Sequence, residues 1–193
     1  MKNFSRAFIF FSLLLPFSIA IKAAPVNYTI DPNHTYVLWR INHLGFSNPS
    51  GKWTAGGSLI LDKNNPKNSQ VKATINVANM ITGLPELDKH LKGENFFNVA
   101  QFPTASFVSN KIDITGKTTA KVHGILTLHG MSKPVTLNVT FNKAAVSPIS
   151  NKDTVGFSAT TLLKRSDFGI TTLIPQVSDE VKINIETEAY KTP

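Results

Sequence analysis

Apolar and polar residues alternate along most of this chain with a period of two. Thr35, Val37, Trp39 and Ile41 share one parity, and His43 follows them on it. Val71, Ala73, Ile75 and Val77 alternate with Lys72, Thr74 and Asn76; Val135, Leu137, Val139 and Phe141 alternate with Thr136, Asn138 and Thr140. Val181, Ile183 and Ile185 repeat the pattern, with shorter versions at Leu59 and Leu61, Ala105 and Phe107, Ile112 and Ile114, and Val155, Phe157 and Ala159. Successive side chains of a strand point to opposite faces, so each segment predicts a strand with one dry and one wet face. His43 ends an apolar wall where its strand gives out, which is how the mouth of a lined pocket would read.

Turn chemistry separates the segments. Asp62-Lys63-Asn64-Asn65-Pro66, the stretch from Asp113 to Gly116, and Gly130-Met131-Ser132-Lys133-Pro134 each interrupt the alternation with residues that favour turns. About eight strands result, spaced as an antiparallel meander is. Residues 85–99 break the pattern: Leu87 and Leu91 lie four apart, giving a short helix one apolar side, with Phe96 and Phe97 close behind. Such a segment serves as a lid or an end-plug. A closed sheet of eight strands either fills itself with side chains or holds one slim ligand, and the expected interior mixture of Trp39, Trp53, Phe46, Phe107, Phe141 and Phe157 with Ala73, Ala105 and Ala159 fits both.

The first residues stand apart from this fold. Lys2 and Arg6 precede an apolar run from Ala7 to Ile21, with small residues at Ala20, Ala23 and Ala24. This is the layout of a secretory signal peptide, and the run is shorter than the roughly 20 residues a membrane span needs. The expected organisation is a leader over residues 1–23, one domain over 24–193, and a periplasmic location. The leader holds Lys2, Arg6 and Lys22, so its removal lowers the net charge of +8 by three to +5. The remaining lysines are scattered singly, which argues against nucleic acid as a partner. The chain has no cysteine, so an exported domain must rely on its core rather than on disulfides.

Catalytic motifs are missing. There is no Gly-x-Ser-x-Gly elbow, no Gly-rich phosphate loop and no His-Glu-x-x-His pair. His123 and His129 share a predicted strand, but six residues of strand separate them by about 20 Å, too far for one metal. No enzyme activity, cofactor or metal site is expected. Lys164-Arg165-Ser166-Asp167-Phe168-Gly169-Ile170 supports two readings: an anchor for a polar or anionic headgroup, or an Arg–Asp pair fixing a turn.

Four blocks of sequence together resemble the YceI-like family of exported lipid-binding proteins. They are Asp31-Pro32-Asn33-His34-Thr35 with Val37, Trp39 and His43-Leu44-Gly45; Asp88-Lys89-His90-Leu91-Lys92 with Phe96-Phe97-Asn98-Val99 and Phe102-Pro103; Gly124 to Val135; and Arg165 to Ile170. The chain differs from many relatives at Leu84-Pro85-Glu86-Leu87 and at Met131-Ser132. The resemblance implies an all-β fold, an eight-stranded antiparallel lipocalin-like β-barrel, enclosing an apolar tunnel for a polyisoprenoid or similar long-chain lipid. By parity Val37, Trp39, Ile41, Phe107, Leu126, Leu128, Val139, Phe141 and Phe157 would line the lumen, with His43, His90 and Arg165 as headgroup contacts at its mouth. The function this predicts is a periplasmic carrier of an isoprenoid or quinone-type lipid, compatible with transient membrane contact and with a homodimer. Two other classes are a stress-related interaction module with a packed barrel and no ligand, and a quinone-linked redox partner.

Overall fold

The computed structural model describes residues 24–193; the expected leader lies outside the described residues. Nine strands form one antiparallel sheet: β1 (Val26–Ile30), β2 (Tyr36–His43), β3 (Ser50–Leu61), β4 (Gln70–Asn76), β5 (Thr104–Ile114), β6 (Thr119–Leu128), β7 (Met131–Val146), β8 (Asp153–Lys164) and β9 (Val177–Lys191). Eight of them, β2 to β9, close into a barrel, because β4 pairs back onto β3 and β2 lies between β3 and β9. Closure leaves this ring no unpaired sheet edge. The ninth strand is the short β1, which the alternation of Val26, Tyr28 and Ile30 encodes in only five residues. It shares the gap between β3 and β9 with β2: β2 pairs with Ser50–Thr54 of β3, and β1 pairs with Gly57–Leu61. The barrel thus keeps eight staves at every height, one of them broken between β1 and β2.

Two features make that break workable. Gly57, where β3 changes neighbours, has φ +141°, and a Cβ there would meet the carbonyl oxygen of Lys72 at 2.1 Å; only glycine satisfies both conditions. Thr35 closes the other side, its hydroxyl bonded to Thr187 Oγ1 at 3.0 Å and accepting from the backbone N–H of Glu188 at 3.3 Å. In the intervening turn the Asp31 carboxylate accepts from the Asn33 N–H at 2.9 Å and meets His34 Nδ1 at 2.8 Å.

The inner face follows parity until a bulge resets it. In β5 an extra residue between Ser109 and Lys111 moves the inward set from Ala105 and Phe107 to Ile112 and Ile114, joining two predicted strands into one. An irregularity between Phe141 and Lys143 does the same in β7. The β6–β7 turn is tighter than the composition suggested: His129 and Gly130, with φ of 51° and 74°, make the connection, and Met131 to Pro134 belong to β7.

The region between β4 and β5 forms the predicted helical element, α1 (Pro85–Lys92), followed by turns that carry Phe96 and Phe97. Leu91, Phe97 and Val99 pack on the cluster of Val37, Trp39, Trp53, Val77 and Met80. Residues 85–99 are therefore an end-plug: Phe97 enters the barrel and stands edge-on to Trp53, ring centroids 5.3 Å apart. Trp39 is seated over Gly51, its cross-strand partner, where a Cβ would lie 2.3 Å from the indole.

The Asp31–His34 pair predicts a pH dependence. Its hydrogen bond from His34 holds Asp31 below the ordinary 3.8, and the same bond raises His34 above 6.5. The raised histidine contributes stability below pH 6.5 that is lost as pH rises through its folded value; the lowered carboxylate contributes stability above pH 3.8 that is lost as pH falls through its folded value. Thermal melts from pH 4 to 9 should show Asp31→Asn removing a step above pH 6.5 that the parent chain displays.

Candidate functional site: an apolar lumen with one open end

Inside the barrel lies a cavity of about 560 Å³. It runs from Trp53, Val77, Leu128 and Leu163 beneath the plug to Lys63, Pro66, Lys117 and Thr118 in the loops at the opposite end. Those loop residues are exposed, so the cavity opens to solvent there. Inward-facing Val71, Ala73, Leu137, Val139, Phe141 and Phe157 remain only half-buried, whereas Val155 and Ala189 are 1% exposed. Side chains that face inward but keep accessible surface border space that the barrel's own residues leave unfilled. The packed-barrel alternative is thereby corrected: the mixture of large and small residues leaves a lumen.

Polarity is graded along the lumen. Among the described residues that line it, Lys63 and Lys117 are the only charged ones, and both sit at the open end with Ser69, Gln70, Thr118 and Thr119. Deeper in, Thr35 and Thr187 satisfy each other's hydroxyls. The remaining wall is almost wholly aliphatic and aromatic. No group of three or more His, Cys, Asp or Glu among the described residues is placed to hold a metal ion.

The structure places the predicted lining residues in two groups. Val37, Phe107, Leu126, Leu128, Val139, Phe141 and Phe157 border the cavity. Trp39 and Ile41 point into the barrel as parity requires, but they lie among the plug contacts and border no open space. Leu59, Leu61, Val71, Ala73, Ile112, Ile114 and Ile185 also line the lumen; their alternation marked them as inward, yet nothing local says which inward residues border space. Lys63 and Lys117 were missed outright, because a turn lysine carries no periodic signal.

The predicted mouth is at the wrong end. His43, His90 and Arg165 all belong to the plugged end, and none borders the lumen. The pairing of β2 with β9 slips between Ile41 and His43, so parity stops there, and His43 is exposed with its N–H bonded to Ser47 O. His90 is exposed on α1, its ring 4.8 Å from that of Phe96. Arg165 is buried. Its Nε donates to Ser178 O at 2.9 Å, Nη1 to Ile170 O and Thr172 O at 3.1 and 2.7 Å, and Nη2 to Val177 O at 2.8 Å. Four of its five N–H donors are thereby used on backbone carbonyls. Burial lowers the proton affinity of the guanidinium, and Asp179 opposes that shift. Neither the headgroup anchor nor the Arg–Asp pair describes Arg165, since its partners are two carbonyls of the loop before β9 and two at the start of β9, while Asp179 binds Ser166.

The same end is tied further. Thr172 Oγ1 donates to Asn95 O at 2.7 Å, and His129 Nδ1 donates to Phe168 O at 3.0 Å. Asp88 accepts from both the N–H and the hydroxyl of Thr82, which holds its carboxyl below the usual range. The first of these bonds fastens the plug to the rim, the second joins two rim loops, and the third fixes the entry to α1.

The chain matches the profile of the YceI-like domain over residues 28–189, which reaches into every strand of the sheet. It belongs to the YceI-like family. An UPF0312 protein of Pseudomonas putida strain W619 is 38% identical over 152 residues, 77% of this chain and 79% of that protein. One from Pseudomonas fluorescens strain SBW25 is 36% identical over 168 residues, 86% of each. Among solved structures this YceI-like domain is similar to BcnA of Burkholderia cenocepacia (TM-score 0.73, 24% identity, 82% of this chain and 98% of that one). It is similar also to a Campylobacter jejuni YCEI protein (TM-score 0.69, 28% identity, 79% and 90%). A polyisoprenoid binding domain from Saccharophagus degradans shares the fold at TM-score 0.63 and 13% identity, over 86% of this chain and 99% of that one.

Arg165 predicts a separation of stability from binding. Arg165→Lys puts one ammonium where a fork serves four carbonyls, so urea unfolding should show a loss of about 3 kcal/mol. The folded protein should keep its capacity for an apolar probe, measured by fluorescence titration.

Proposed function

We propose that this YceI-like domain is a binding protein that holds one long-chain isoprenoid or quinone-type lipid in its barrel, with the tail toward Trp53 and the polar end at Lys63 and Lys117. The observation that carries this reading is the lumen itself: a deep apolar space, plugged at one end and open at the other, with its charge confined to the opening. Each methylene moved from water into such a wall gains about 0.8 kcal/mol. A long chain thus binds firmly without a dense set of polar contacts, and the few groups at the mouth govern which headgroups are accepted. The leader-like segment at residues 1–23 supports a periplasmic carrier role for this lipid. In this reading Lys63 and Lys117, at the opposite end of the barrel, take the headgroup role expected of His43, His90 and Arg165.

The test is native mass spectrometry of protein purified from its own cell envelope, followed by organic extraction. The expected result is one long-chain isoprenoid per chain. Protein that is empty when isolated, and that takes up no added prenyl lipid, overturns the reading. Ala73→Trp supplies an internal control, since Ala73 lines the lumen opposite Phe107. An indole there should remove lipid from the spectrum and cost about 1–3 kcal/mol of stability from overpacking.

A further inference from the structure

The open end has a second property besides access to the lumen. Strand β7 runs six residues past the end of its pairing with β6, which stops at Thr119–Thr140, and there it pairs with β8 alone. The β7–β8 hairpin therefore stands beyond the β5–β6 turn, like a finger at the rim. Its tip presents Ile149, 95% exposed, with Val146 at 58%. Exposed does not mean loose here. Ser147 Oγ accepts from the backbone N–H groups of Ile149 and Ser150, and the Ser147 and Asn151 N–H groups bond to Lys152 O and Ser147 O. The turn is built to hold an isoleucine out in water.

Charge accompanies that apolar tip. The loops and chain end at this rim carry Lys63, Lys67, Lys117, Lys152 and Lys191 against Asp62, whose carboxylate already accepts from the N–H groups of Asn64 and Asn65. Lys152 lies over the Tyr190 ring within reach of Asp31, Asp113 pairs with Lys111, and Asp153 stands at the base of the hairpin. The plugged end differs. It exposes more apolar residues, Leu44, Ile81, Leu84 and Leu173 together with Phe46, which was expected inside the barrel and is 89% exposed. But it mixes Glu86, Asp88, Glu94, Asp167, Asp179 and Glu180 among its lysines, so charge and not apolar exposure distinguishes the two ends. Basic side chains surrounding an exposed apolar tip are the pattern that attracts a protein to an anionic bilayer and seats it in the headgroup region.

We propose that the open rim is a docking surface for an anionic membrane, with Ile149 and Val146 entering the headgroup layer and Lys63 and Lys117 facing lipid phosphates. Docked in this way, the lumen opens directly onto the bilayer, so an apolar cargo passes between membrane and barrel without crossing water. The inference rests on the lumen being a lipid site, while docking itself is measured without any cargo.

The experiment is flotation of the leaderless chain with phosphatidylcholine vesicles, with and without phosphatidylglycerol. The wild type should float with the anionic vesicles and not with the neutral ones, and raised salt should release it. Charge reversal in Lys63→Glu/Lys117→Glu should weaken vesicle binding by tenfold or more, and Ile149→Ser should weaken it several-fold. Phe46→Ser, at the plugged end, should leave it unchanged. All three variants alter exposed positions, and circular dichroism confirms their fold. A wild type that stays unfloated with both vesicles, or a charge-reversed protein that floats like wild type, overturns the proposal, as does loss of flotation in Phe46→Ser alone. Transfer of a dansyl-labelled polyprenol from the same vesicles is then scored separately: flotation without transfer leaves docking intact and removes the lipid-carrier reading instead.

Discussion

The antiparallel pairing of β2 with β9, the first and last strands of the ring, turns a meander into a closed barrel, and both the stability and the emptiness of this molecule depend on it. Closure satisfies the backbone groups that an open sheet would leave at its edges. It also sets a diameter, because eight tilted strands enclose a space that side chains can just fill or leave partly vacant. Once the ring is closed, the balance of large and small inward residues determines what remains inside. Here Ala73, Ala105 and Ala159 alternate with the aromatic residues, and the remainder is a lumen.

Closure carries a cost at the ends, where a barrel exposes apolar wall to water. The two ends solve this differently. At one, the segment from α1 to Val99 fills the opening with Phe97 against Trp53, and Arg165, Thr172 and His129 tie the surrounding loops through backbone carbonyls. These bonds are numerous and most are at least partly buried, so this end is built to stay shut. The other end has only turns, and its rim is polar and basic. An asymmetric tube follows, with a blind apolar floor and one entrance, which suits a ligand that is itself asymmetric.

Much of the barrel was legible in the residues. The alternation of Val135 to Phe141 or of Val181 to Ile185 can be nothing but a strand with an inner and an outer face, and the turn clusters punctuate them. The plug was legible in outline from Leu87, Leu91 and the two phenylalanines. What misled was the assumption that parity runs unbroken: it carried His43 onto the inner face, although the register slips just before it. It also hid the continuity of β5, since the extra residue near Asn110 exchanges the two faces. The YceI-like blocks suggested the fold in order and at the right spacing, but they marked residues of the plugged end as a mouth.

By itself, then, the sequence determined which side chains face inward, because the two-residue repeat is a local property of extended backbone and needs no knowledge of the neighbours. Only the tertiary structure decided which end of the barrel is open, whether the inward residues touch one another, and where the donors of Arg165 are used. Those outcomes turn on loops far apart in the chain. Asn95 meets Thr172, and Leu128 meets the segment from Val77 to Phe97, only after the sheet has closed. The entrance lies where such long-range contacts do not form, so Lys63 and Lys117 acquire their position at the mouth from the absence of a plug above them and not from any pattern around them.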